Sequence, residues 1–311
     1  MKRYIAIARP DHWIKNIFML PGLIFAYMVV GLEGDYKSFI LKFFLGIASL
    51  CLVASANYVI NEYLDAPFDQ FHPTKKERVA VRLGLNPAVV YTEYAILIVL
   101  GLGLAWFCGT KFFCTSIFLL FMGVLYNVKP IRTKDVPYLD VLSESINNAI
   151  RLALGWFLIS PSTFPMASIT FGYWMGGAFL MGVKRFSEYL FIDDKSLASS
   201  YRKSFKYYNE KTLLLSSIFY SMLSLFFIGV FIIKYRIEYV LLVPFVAFLF
   251  IWYLWIGMQK DSAAQKPEKL YKQWKLFLFI IFIVALGVVL SFINIPSLYG
   301  LEVVKYVAHG K

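Results

Sequence analysis

The stretch SFILKFFLGIASLCLVASANYVINEYLDAPFD, residues 38–69, is the most informative segment of the chain. Its first part, residues 38–60, contains a single charged side chain, Lys42. A helix needs roughly 20 apolar residues to cross a hydrocarbon core about 30 Å thick, so this part predicts a membrane-crossing helix. The run then passes directly into residues 61–69, which hold three acids at one end of that helix.

The composition extends this prediction to the whole chain. Of 311 residues, 59% are hydrophobic and 16% are charged, and the mean hydropathy is +0.65. A chain this apolar has too few polar side chains to cover the surface of a soluble globular protein. We therefore exclude a soluble globular fold. We predict an all-α protein with one domain, residues 1–311, folded as a polytopic membrane bundle of nine transmembrane helices with cytoplasmic cap loops. The predicted spans are about 15–32, 38–60, 87–107, 111–126, 139–160, 164–183, 212–233, 238–257 and 276–294.

Basic residues set the predicted orientation. The amino terminus and the loops after the second, fourth, sixth and eighth spans carry 23 of the 31 Lys and Arg residues. By the positive-inside rule these segments face the cytoplasm at an inner membrane, and nine crossings leave the carboxyl terminus external. Topology and the anionic cytoplasmic leaflet account for the net charge of +12, so we predict no nucleic-acid partner. The three cysteines lie in or beside spans, where a disulfide framework or metal cluster is not expected.

The polar end of the second span carries oxygen ligands on one helical face. Asn61, Asp65 and Asp69 are spaced four residues apart, so on a continuous helix their side chains lie one above another. Stacked carboxylates repel one another unless a cation lies between them, and such oxygens suit Mg²⁺ that bridges to a phosphate. We therefore predict a Mg²⁺ site, with Mn²⁺ as the alternative metal, at Asn61, Glu62, Asp65 and Asp69. Pro67 predicts a kink or an end of the helix near this site.

Basic residues follow the acidic face closely. Lys75 and Arg78 come after His72 and Pro73 in the same cytoplasmic loop. Bases beside a metal-binding face are what a polyphosphate requires, whereas a bare cation site would gain nothing from them. The alternative interpretation is an ordinary solvated loop that carries helix-end charges.

A polar stripe marks the predicted fifth span. Asp140, Glu144, Asn147 or Asn148, and Arg151 recur at helical spacing, so one side of this span is polar for about three turns. A charge such as Arg151 near the bilayer interior costs about 3 kcal/mol by insertion scales and must face a partner or a wet cavity. We predict that the stripe is a cavity wall. The alternative is a structural ion pair between Arg151 and Glu144.

Further bases follow the fourth span. The segment YNVKPIRTK, residues 126–134, offers Tyr126, Lys129 and Arg132 for contact with a phosphate. Lys134 is instead interpreted as a positive-inside anchor.

The loop after the sixth span is the longest predicted cytoplasmic loop. Lys184, Arg185 and Glu188 begin it where the membrane ends, and Arg202 belongs to a second basic cluster. The alternative interpretation is a surface that binds lipid headgroups. Two aspartates at 193–194 either ligate a metal or start a short helix, and the sequence does not decide between these roles.

Taken together, these motifs resemble the UbiA superfamily of intramembrane prenyltransferases. The pattern Asn61-Glu62-x-x-Asp65-x-x-x-Asp69 is similar to the first aspartate-rich motif of that superfamily, with Glu62 in place of the usual second Asp. The decaprenyl-phosphate phosphoribosyltransferase branch is the most similar, through four segments in the same order. They are RPDHWIKNIF at 9–18, HPTKKER at 72–78, VPYLD at 136–140 and KRFSE at 184–188.

The segment after span six separates this branch from ordinary members. Those carry a second aspartate-rich motif and a second Mg²⁺ to clamp a prenyl diphosphate, whereas this chain reads KRFSE at 184–188. A basic cluster suits a lipid monophosphate or a sugar 5-phosphate. The resemblance therefore implies an enzyme that transfers 5-phosphoribosyl from phosphoribosyl pyrophosphate to a polyprenyl phosphate such as decaprenyl phosphate. Diphosphate is released, and the product serves cell-envelope polysaccharide precursor synthesis.

The resemblance also implies roles for particular residues. The acidic face would hold the diphosphate through Mg²⁺, with help from Lys75 and Arg78. His12 and Lys15 would close the site from the amino-terminal side. An interfacial Trp13 beside a snorkelling Lys15 is the alternative account of that segment. Phosphate contact is assigned to Lys75, Arg78, Tyr126, Lys129, Arg132, Lys184, Arg185, Glu188 and Arg202.

Two other functions stay open at the level of sequence. Another UbiA-type enzyme would move a prenyl group from a prenyl diphosphate to an aromatic acceptor. A transporter or channel would line a path with the buried charges, but the acids crowd one membrane face and no inverted repeat of broken spans is visible. The sequence sets neither the tail length nor the oligomeric state, and an oligomer is compatible with it.

Overall fold

The computed structural model describes residues 2–259, 262–265 and 273–301, and all regular structure in these ranges is helical. Short 3-10 segments join several of the α-helices, and the longest of them, Pro10–Met19, leads into the first long helix. The α-helices are α1 (Lys2–Ile7), α2 (Leu20–Val29), α3 (Tyr36–Asp69), α4 (Val79–Arg82), α5 (Pro87–Cys108), α6 (Thr110–Asn127), α7 (Leu139–Ile159), α8 (Ala167–Phe191), α9 (Lys195–Tyr201), α10 (Glu210–Tyr235), α11 (Val243–Gly257) and α12 (Trp274–Phe292).

The chain is a multi-pass membrane protein. Within the described ranges, seven helical segments are long and apolar enough to cross a membrane: Arg3–Val29, Tyr36–Asp69, Pro87–Cys108, Thr110–Asn127, Glu210–Tyr235, Ile237–Gly257 and Trp274–Phe292. The other two predicted spans coincide with α7 and α8, which have 21 and 25 residues but carry charged side chains in the interior. The count of nine spans therefore stays a prediction.

Helix α3 connects the membrane interior to the charged end of the bundle. It has 34 residues, more than one crossing requires, so its acidic last turns extend beyond the apolar run. Asp35 caps its first turn, because the carboxylate accepts a hydrogen bond from the Ser38 N–H at 2.7 Å. The helix ends two residues after Pro67, in agreement with the expected effect of a proline.

Glycines allow α2 and α7 to pack in backbone contact. A Cβ atom added to Gly22 would overlap the carbonyl oxygen of Leu152, and one added to Gly155 would overlap that of Met19. Small residues of this kind let helices in a membrane approach closely, where van der Waals contact drives their association. The pair buries Trp156, Leu154 and the rest of the larger apolar cluster against α3 and α6.

The two ends of the bundle differ in charge. Arg9 lies 3.9 Å from Glu62, which places the amino terminus at the end formed by the acidic turns of α3. At the other end, Glu33 accepts hydrogen bonds from the Ser162 side chain at 2.7 Å and from its N–H at 3.1 Å. This division agrees with the predicted placement of the amino terminus and the acids on one side, while the identity of that side stays a prediction. The carboxyl-terminal residues 302–311, predicted to be external, lie outside the described residues.

The long loop after α8 folds into a compact cap. The Asp194 carboxylate accepts a hydrogen bond from the Ser196 N–H at 2.8 Å and so caps α9, which shows that the aspartate pair starts a short helix. Tyr201, Phe205 and Tyr208 are buried and pack together with the end of α8. The loop is thus a packed element rather than only a surface for lipid headgroups.

Candidate active site

A polar cavity of about 240 Å³ lies inside the charged end of the bundle. It is walled by α3, α6, α7, α8 and the segment Pro10–Met19. Its polar side chains include Lys15, Asn57, Asn61, Glu144, Asn148 and Arg151. The structure thus places most of the predicted stripe of α7 on the wall of this cavity, as we expected.

Asp65 is the centre of the contacts made by the acidic face. Arg132 Nη2 donates a hydrogen bond to Asp65 Oδ1 at 3.0 Å, and Lys134 Nζ donates to the same oxygen. Asn61 Nδ2 donates to Asp65 Oδ2 at 3.2 Å. The cations that relieve the stacked carboxylates are therefore, in this structure, basic side chains of the chain itself.

The prediction for Lys134 was wrong. Its side chain is only 5% exposed and pairs with Asp65, so it is not a positive-inside anchor at the membrane surface. Burial lowers the pKa of Lys134 to about 8, although the neighbouring Asp65 acts in the opposite direction. Lys134 also donates to Asn127 Oδ1 at 2.7 Å, an atom that accepts from Asn61 at 2.6 Å. We did not predict Asn127, and its only signal was its place next to Tyr126 at the end of α6.

The other two acids of the motif have different basic partners. Asp69 is 2% exposed and accepts a hydrogen bond from Arg78 Nη1 at 2.7 Å. Glu62 lies 3.9 Å from both Arg78 and Arg9. Burial would lower the pKa of Arg78, but the pairing with Asp69 and Glu62 raises it above its ordinary value, so this guanidinium stays charged.

Arg185 joins α8 to α7 through a second buried cluster. Its guanidinium donates to Glu188 Oε2 and to the Tyr126 hydroxyl, both at 3.1 Å, and it also contacts Glu144. Tyr126 in turn donates to Glu144 Oε2 at 2.8 Å. Arg185 is 1% exposed, so its guanidinium contacts only protein groups. These contacts hold the two helices together and orient Glu144 at the cavity wall.

Asp140 does not belong to the cavity wall, which corrects the prediction for the first member of the stripe. It is fully buried and accepts hydrogen bonds from the Tyr208 hydroxyl at 2.8 Å and the Ser204 hydroxyl at 3.0 Å. Arg202 lies 3.6 Å from it and 3.4 Å from the Tyr126 hydroxyl. Asp140 therefore anchors the cap to the start of α7.

Arg151 lines the polar cavity and does not pair with Glu144. Its Nε donates to Asn16 Oδ1 at 3.2 Å, and its Nη1 donates to the Asn147 carbonyl at the same distance. The alternative of an Arg151–Glu144 pair was therefore wrong, because Glu144 bonds to Arg185 and Tyr126 instead. Asn16, which we did not single out, ties the amino-terminal segment to α7.

A second chamber, which we call the basic pocket, has a volume of about 170 Å³. It shares Lys15 and Lys184 with the polar cavity, and Glu188 is the acid on its wall. His12 lines it as well, so the amino-terminal segment forms one side of the site. Its basic side chains are Arg9, Lys15, Lys75, Arg78 and Lys184. Lys129 is exposed and lines neither chamber, so the structure does not bring this predicted phosphate ligand to the site.

A third chamber, which we call the apolar cavity, has a volume of about 360 Å³. It lies among α8, α10, α11 and α12, and it shares four wall residues with the polar cavity: Phe18, Asn148, Leu180 and Tyr253. Its other walls include Gly172, Gly176, Ile228, Phe250, Leu276 and Ile280. Polar cavity and apolar cavity therefore adjoin.

The acidic face fits Mg²⁺ in one respect. Asn61, Asp65 and Asp69 offer the hard oxygen atoms that Mg²⁺ prefers, but no three His, Cys, Asp or Glu side chains of the described residues converge into a cage. Mg²⁺ often takes only one or two carboxylates and completes its shell with phosphate and water oxygens. The residues present would therefore suit Mg²⁺ bound together with a diphosphate.

Comparison with known proteins gives one family. The sequence profile of the UbiA prenyltransferase family matches residues 18–283. A UbiA homologue from Archaeoglobus fulgidus, solved with DMAPP and Mg²⁺ bound, superposes with a TM-score of 0.68 over 94% of this chain and 100% of that chain, at 18% identity.

Two curated relatives match over shorter regions. The nodulation protein NoeC of Azorhizobium caulinodans is 31% identical over 141 residues, 45% of this chain and 43% of that protein. The decaprenyl-phosphate phosphoribosyltransferase of Mycolicibacterium smegmatis is 34% identical over 103 residues, 33% of this chain and 32% of that enzyme. The matched regions thus span less than half of these relatives.

Proposed function

The chain belongs to the UbiA prenyltransferase family, and from that premise we propose that it transfers 5-phosphoribosyl from phosphoribosyl pyrophosphate to a polyprenyl phosphate. Diphosphate is the second product. The lipid product would serve cell-envelope polysaccharide precursor synthesis, and the site would face the cytoplasm of an inner membrane. Mg²⁺, or Mn²⁺ in its place, is the proposed cofactor.

One observation carries this proposal: the basic pocket, with five basic side chains and one carboxylate on its wall, adjoins the polar cavity that Asn61 of the acidic motif lines. A prenyl diphosphate and an aromatic acceptor bring one diphosphate to the site. Phosphoribosyl pyrophosphate and a polyprenyl phosphate together bring a diphosphate and two separate phosphate monoesters. Five basic side chains around the basic pocket suit the larger number of phosphates. The name of the Mycolicibacterium smegmatis relative supports the same choice.

The described residues divide the proposed reaction between them. The acidic face holds the diphosphate end of the donor, and bound Mg²⁺ supplies Lewis-acid stabilisation of charge on the leaving diphosphate. As the bond from the anomeric carbon to the diphosphate oxygen breaks, the sugar gains oxocarbenium character, and an oxygen of the lipid phosphate forms the new bond from the opposite face. The lipid phosphate is already ionised and needs no general base. Positioning and charge stabilisation by Arg78, Arg132, Lys134 and Arg151 therefore supply most of the rate.

The apolar cavity suits the first part of the polyprenyl tail. It adjoins the polar cavity, so a lipid whose chain lies there presents its phosphate toward Asn148 and Arg151. The donor, which is soluble in water, enters from the charged end of the bundle.

Mass spectrometry of the lipid product tests the proposal. Purified protein is incubated with phosphoribosyl pyrophosphate, Mg²⁺ and polyprenyl phosphates of several lengths. We expect a phosphoribosylated lipid from the wild type. Asp65→Asn and Asp69→Asn should reduce turnover by about 10²-fold or more, the range seen when a stabiliser of transition-state charge is removed. Asp193→Asn is the matched control, because Asp193 is exposed, whereas Asp65 and Asp69 are paired with basic side chains at the acidic face.

The alternative makes a different prediction in the same preparation. If the protein transfers a prenyl group to an aromatic acceptor, labelled prenyl diphosphate releases diphosphate when no ribosyl donor is present. That result, or full activity in both aspartate variants, would overturn the phosphoribosyltransferase assignment.

A further inference from the structure

The basic pocket contains a histidine whose role the reaction above does not use. His72 is 3% exposed and lies at the start of the segment that carries Lys75 and Arg78. Its ring packs edge-on against Tyr201 with 4.6 Å between ring centroids, which fixes its plane. The side chain is therefore held rigidly at the wall of the pocket.

Hydrogen bonds define which ring nitrogen of His72 carries a proton. Its Nδ1 lies 3.2 Å from the backbone nitrogens of Thr74 and Lys75, and each of these N–H groups donates to it. A nitrogen that accepts from N–H groups has no proton of its own, so in the neutral ring the proton lies on Nε2. Because Nδ1 accepts from two N–H groups, the ring is neutral and Nε2–H is its only donor.

The resulting Nε2–H donor has no acceptor. Nε2 is buried, and no hydrogen-bond partner for it exists among the described residues. The side-chain amide nitrogen of Gln265, on the wall of the same pocket, is likewise buried with no partner in that part of the chain. Buried donors are nearly always satisfied, so two of them at one pocket indicate an acceptor that binds there.

The charges around the pocket specify an anionic acceptor. Lys184 makes no hydrogen bond and no ion pair within 4 Å to another described residue. Lys75 bonds to Glu188 at 2.8 Å, and Arg78 bonds to Asp69. Even with these pairs, bases outnumber the single wall carboxylate of Glu188. A phosphate monoester offers three acceptor oxygens and about two negative charges, which matches this arrangement better than a carboxylate does.

The position of the pocket identifies the source of that phosphate. The basic pocket shares Lys15 and Lys184 with the polar cavity, but it shares no wall residue with the apolar cavity. A lipid phosphate attached to a tail in the apolar cavity reaches the polar cavity first. The more distant basic pocket is left for the group at the far end of the soluble donor.

We propose that the basic pocket binds the 5-phosphate of the phosphoribosyl donor and that His72 donates a hydrogen bond from Nε2 to one of its oxygens. This inference rests on the proposed function for the identity of the donor. His72 is thereby a residue that selects for a phosphorylated sugar, separate from the groups that act on the diphosphate.

Two substitutions of His72 distinguish the role of Nδ1 from that of Nε2. His72→Asn keeps an oxygen near the Nδ1 position for the backbone N–H groups but removes the donor at Nε2. His72→Gln keeps an N–H near the Nε2 position. We expect His72→Asn to raise KM for phosphoribosyl pyrophosphate by about tenfold or more, the loss expected for a hydrogen bond to a charged group, and to leave KM for polyprenyl phosphate unchanged. His72→Gln should recover part of the affinity.

Direct binding supplies a readout that does not need turnover. Titration of ribose 5-phosphate and of inorganic phosphate into the purified full-length protein should show weaker binding in His72→Asn than in the wild type, with elution in size-exclusion chromatography unchanged. Lys75→Gln should weaken binding of the same two probes, whereas Lys76→Gln should not, because Lys76 is exposed and does not line the pocket. The comparison of Lys75→Gln with Lys76→Gln tests the pocket even if His72→Asn does not fold.

The outcomes separate the two proposals. If the wild type forms no phosphoribosylated lipid but binds ribose 5-phosphate through His72, the proposed function fails and the phosphate-monoester pocket stands. If the wild type is active and His72→Asn alters neither donor KM nor ribose 5-phosphate binding, the pocket assignment fails alone. If KM for the lipid phosphate rises instead, the pocket holds the lipid phosphate, and our assignment to the donor is wrong.

Discussion

Single buried charges organise this site. Arg185 contacts three carboxylates, those of Asp140, Glu144 and Glu188, although its side chain is 1% exposed. Burying charges costs free energy unless geometry and hydrogen bonds compensate, and removing one partner of such a cluster leaves uncompensated charge. The carboxylates at the cavity wall are thus held in defined positions before any substrate arrives. Such pre-organisation is what electrostatic catalysis requires.

At the same scale, His72 should make the stability of the protein depend on pH. Its pKa is about 3 in the folded protein and about 6.5 when unfolded. Between these values the unfolded chain binds a proton that the folded protein does not, so stability is complete above pH 6.5 and falls as the pH decreases. From pH 7 to 5.5 the loss should be about 1 kcal/mol.

Thermal unfolding in detergent at the two pH values measures this effect. The apparent Tm of the wild type should fall more between pH 7 and 5.5 than that of His72→Asn, because the variant lacks the titrating group while all other acids and bases are common to both. Equal decreases would show that His72 titrates normally in the folded protein.

At the scale of elements, the contact between α2 and α7 depends on two glycines. Gly22 lies against the carbonyl oxygen of Leu152 in α7, and Gly155 lies against that of Met19, directly before α2, so there is no space for a side chain at either position. The same two helices carry Trp156 and Leu23 of the core, and α7 carries Arg151 into the polar cavity. The packing of α2 therefore sets the position of one cavity wall.

Gly155→Ala should destabilise the protein by about 1–3 kcal/mol, because overpacking forces the two backbones apart. The measurement is the fraction that remains monodisperse after heating in detergent. Gly103→Ala is the matched control, since Gly103 is also helical, is exposed and has no atom within 4 Å of an added Cβ. A Gly155→Ala variant as stable as Gly103→Ala would contradict the proposed close contact.

Elements formed by apolar runs could be predicted well. The predicted spans 87–107 and 111–126 differ by one residue at most from the ends of α5 and α6, because turn residues bound both runs. Helix α8 extends to Phe191, eight residues past the predicted end at 183, because the polar segment KRFSE stays helical once Arg185 and Glu188 are paired in the interior. Hydropathy cannot anticipate such pairing.

Local geometry within the site was also predictable, but long-range contacts were not. The four-residue spacing of Asn61 and Asp65 correctly indicated a shared face, and the two side chains are hydrogen-bonded. The pairing of Lys134 with Asp65 joins residues 69 positions apart, and a single sequence does not state which distant elements meet. For the same reason the sequence identified His72 as part of a motif, but it did not predict that its Nε2 has no hydrogen-bond partner among the described residues.

At the scale of the whole molecule, three chambers lie in series. The polar cavity shares wall residues with both the basic pocket and the apolar cavity, which share none with each other, and the apolar cavity lies among α8, α10, α11 and α12. This order suits the proposed reaction, because a water-soluble donor would enter from the charged end and a lipid acceptor from the apolar cavity, and the two would meet in the polar cavity.

Narrowing the apolar cavity should therefore affect only the lipid substrate. Gly176 lines this cavity, and the nearest atom to an added Cβ is the Ser224 hydroxyl at 3.2 Å, so Gly176→Val directs new methyl groups at the space. We expect KM for a long-chain polyprenyl phosphate to rise about tenfold, since excluding two CH₂ groups costs about 1.6 kcal/mol. KM for phosphoribosyl pyrophosphate should not change.

Steady-state kinetics with both substrates provides the measurement. Gly229→Val is the control, because Gly229 lies on α10, does not line the cavity and has nothing within 4 Å of an added Cβ. Equal effects of the two variants would exclude the apolar cavity as the place of the tail.

The segment Pro10–Met19 borders every one of these chambers. Phe18 lies on the walls of the polar and apolar cavities, Lys15 on those of the polar cavity and basic pocket, and Asn16 holds Arg151. A 3-10 helix has weaker internal hydrogen bonds than an α-helix. The segment Pro10–Met19 therefore deforms more readily than the long helices around it. A displacement of this segment therefore changes the walls of all three chambers at once.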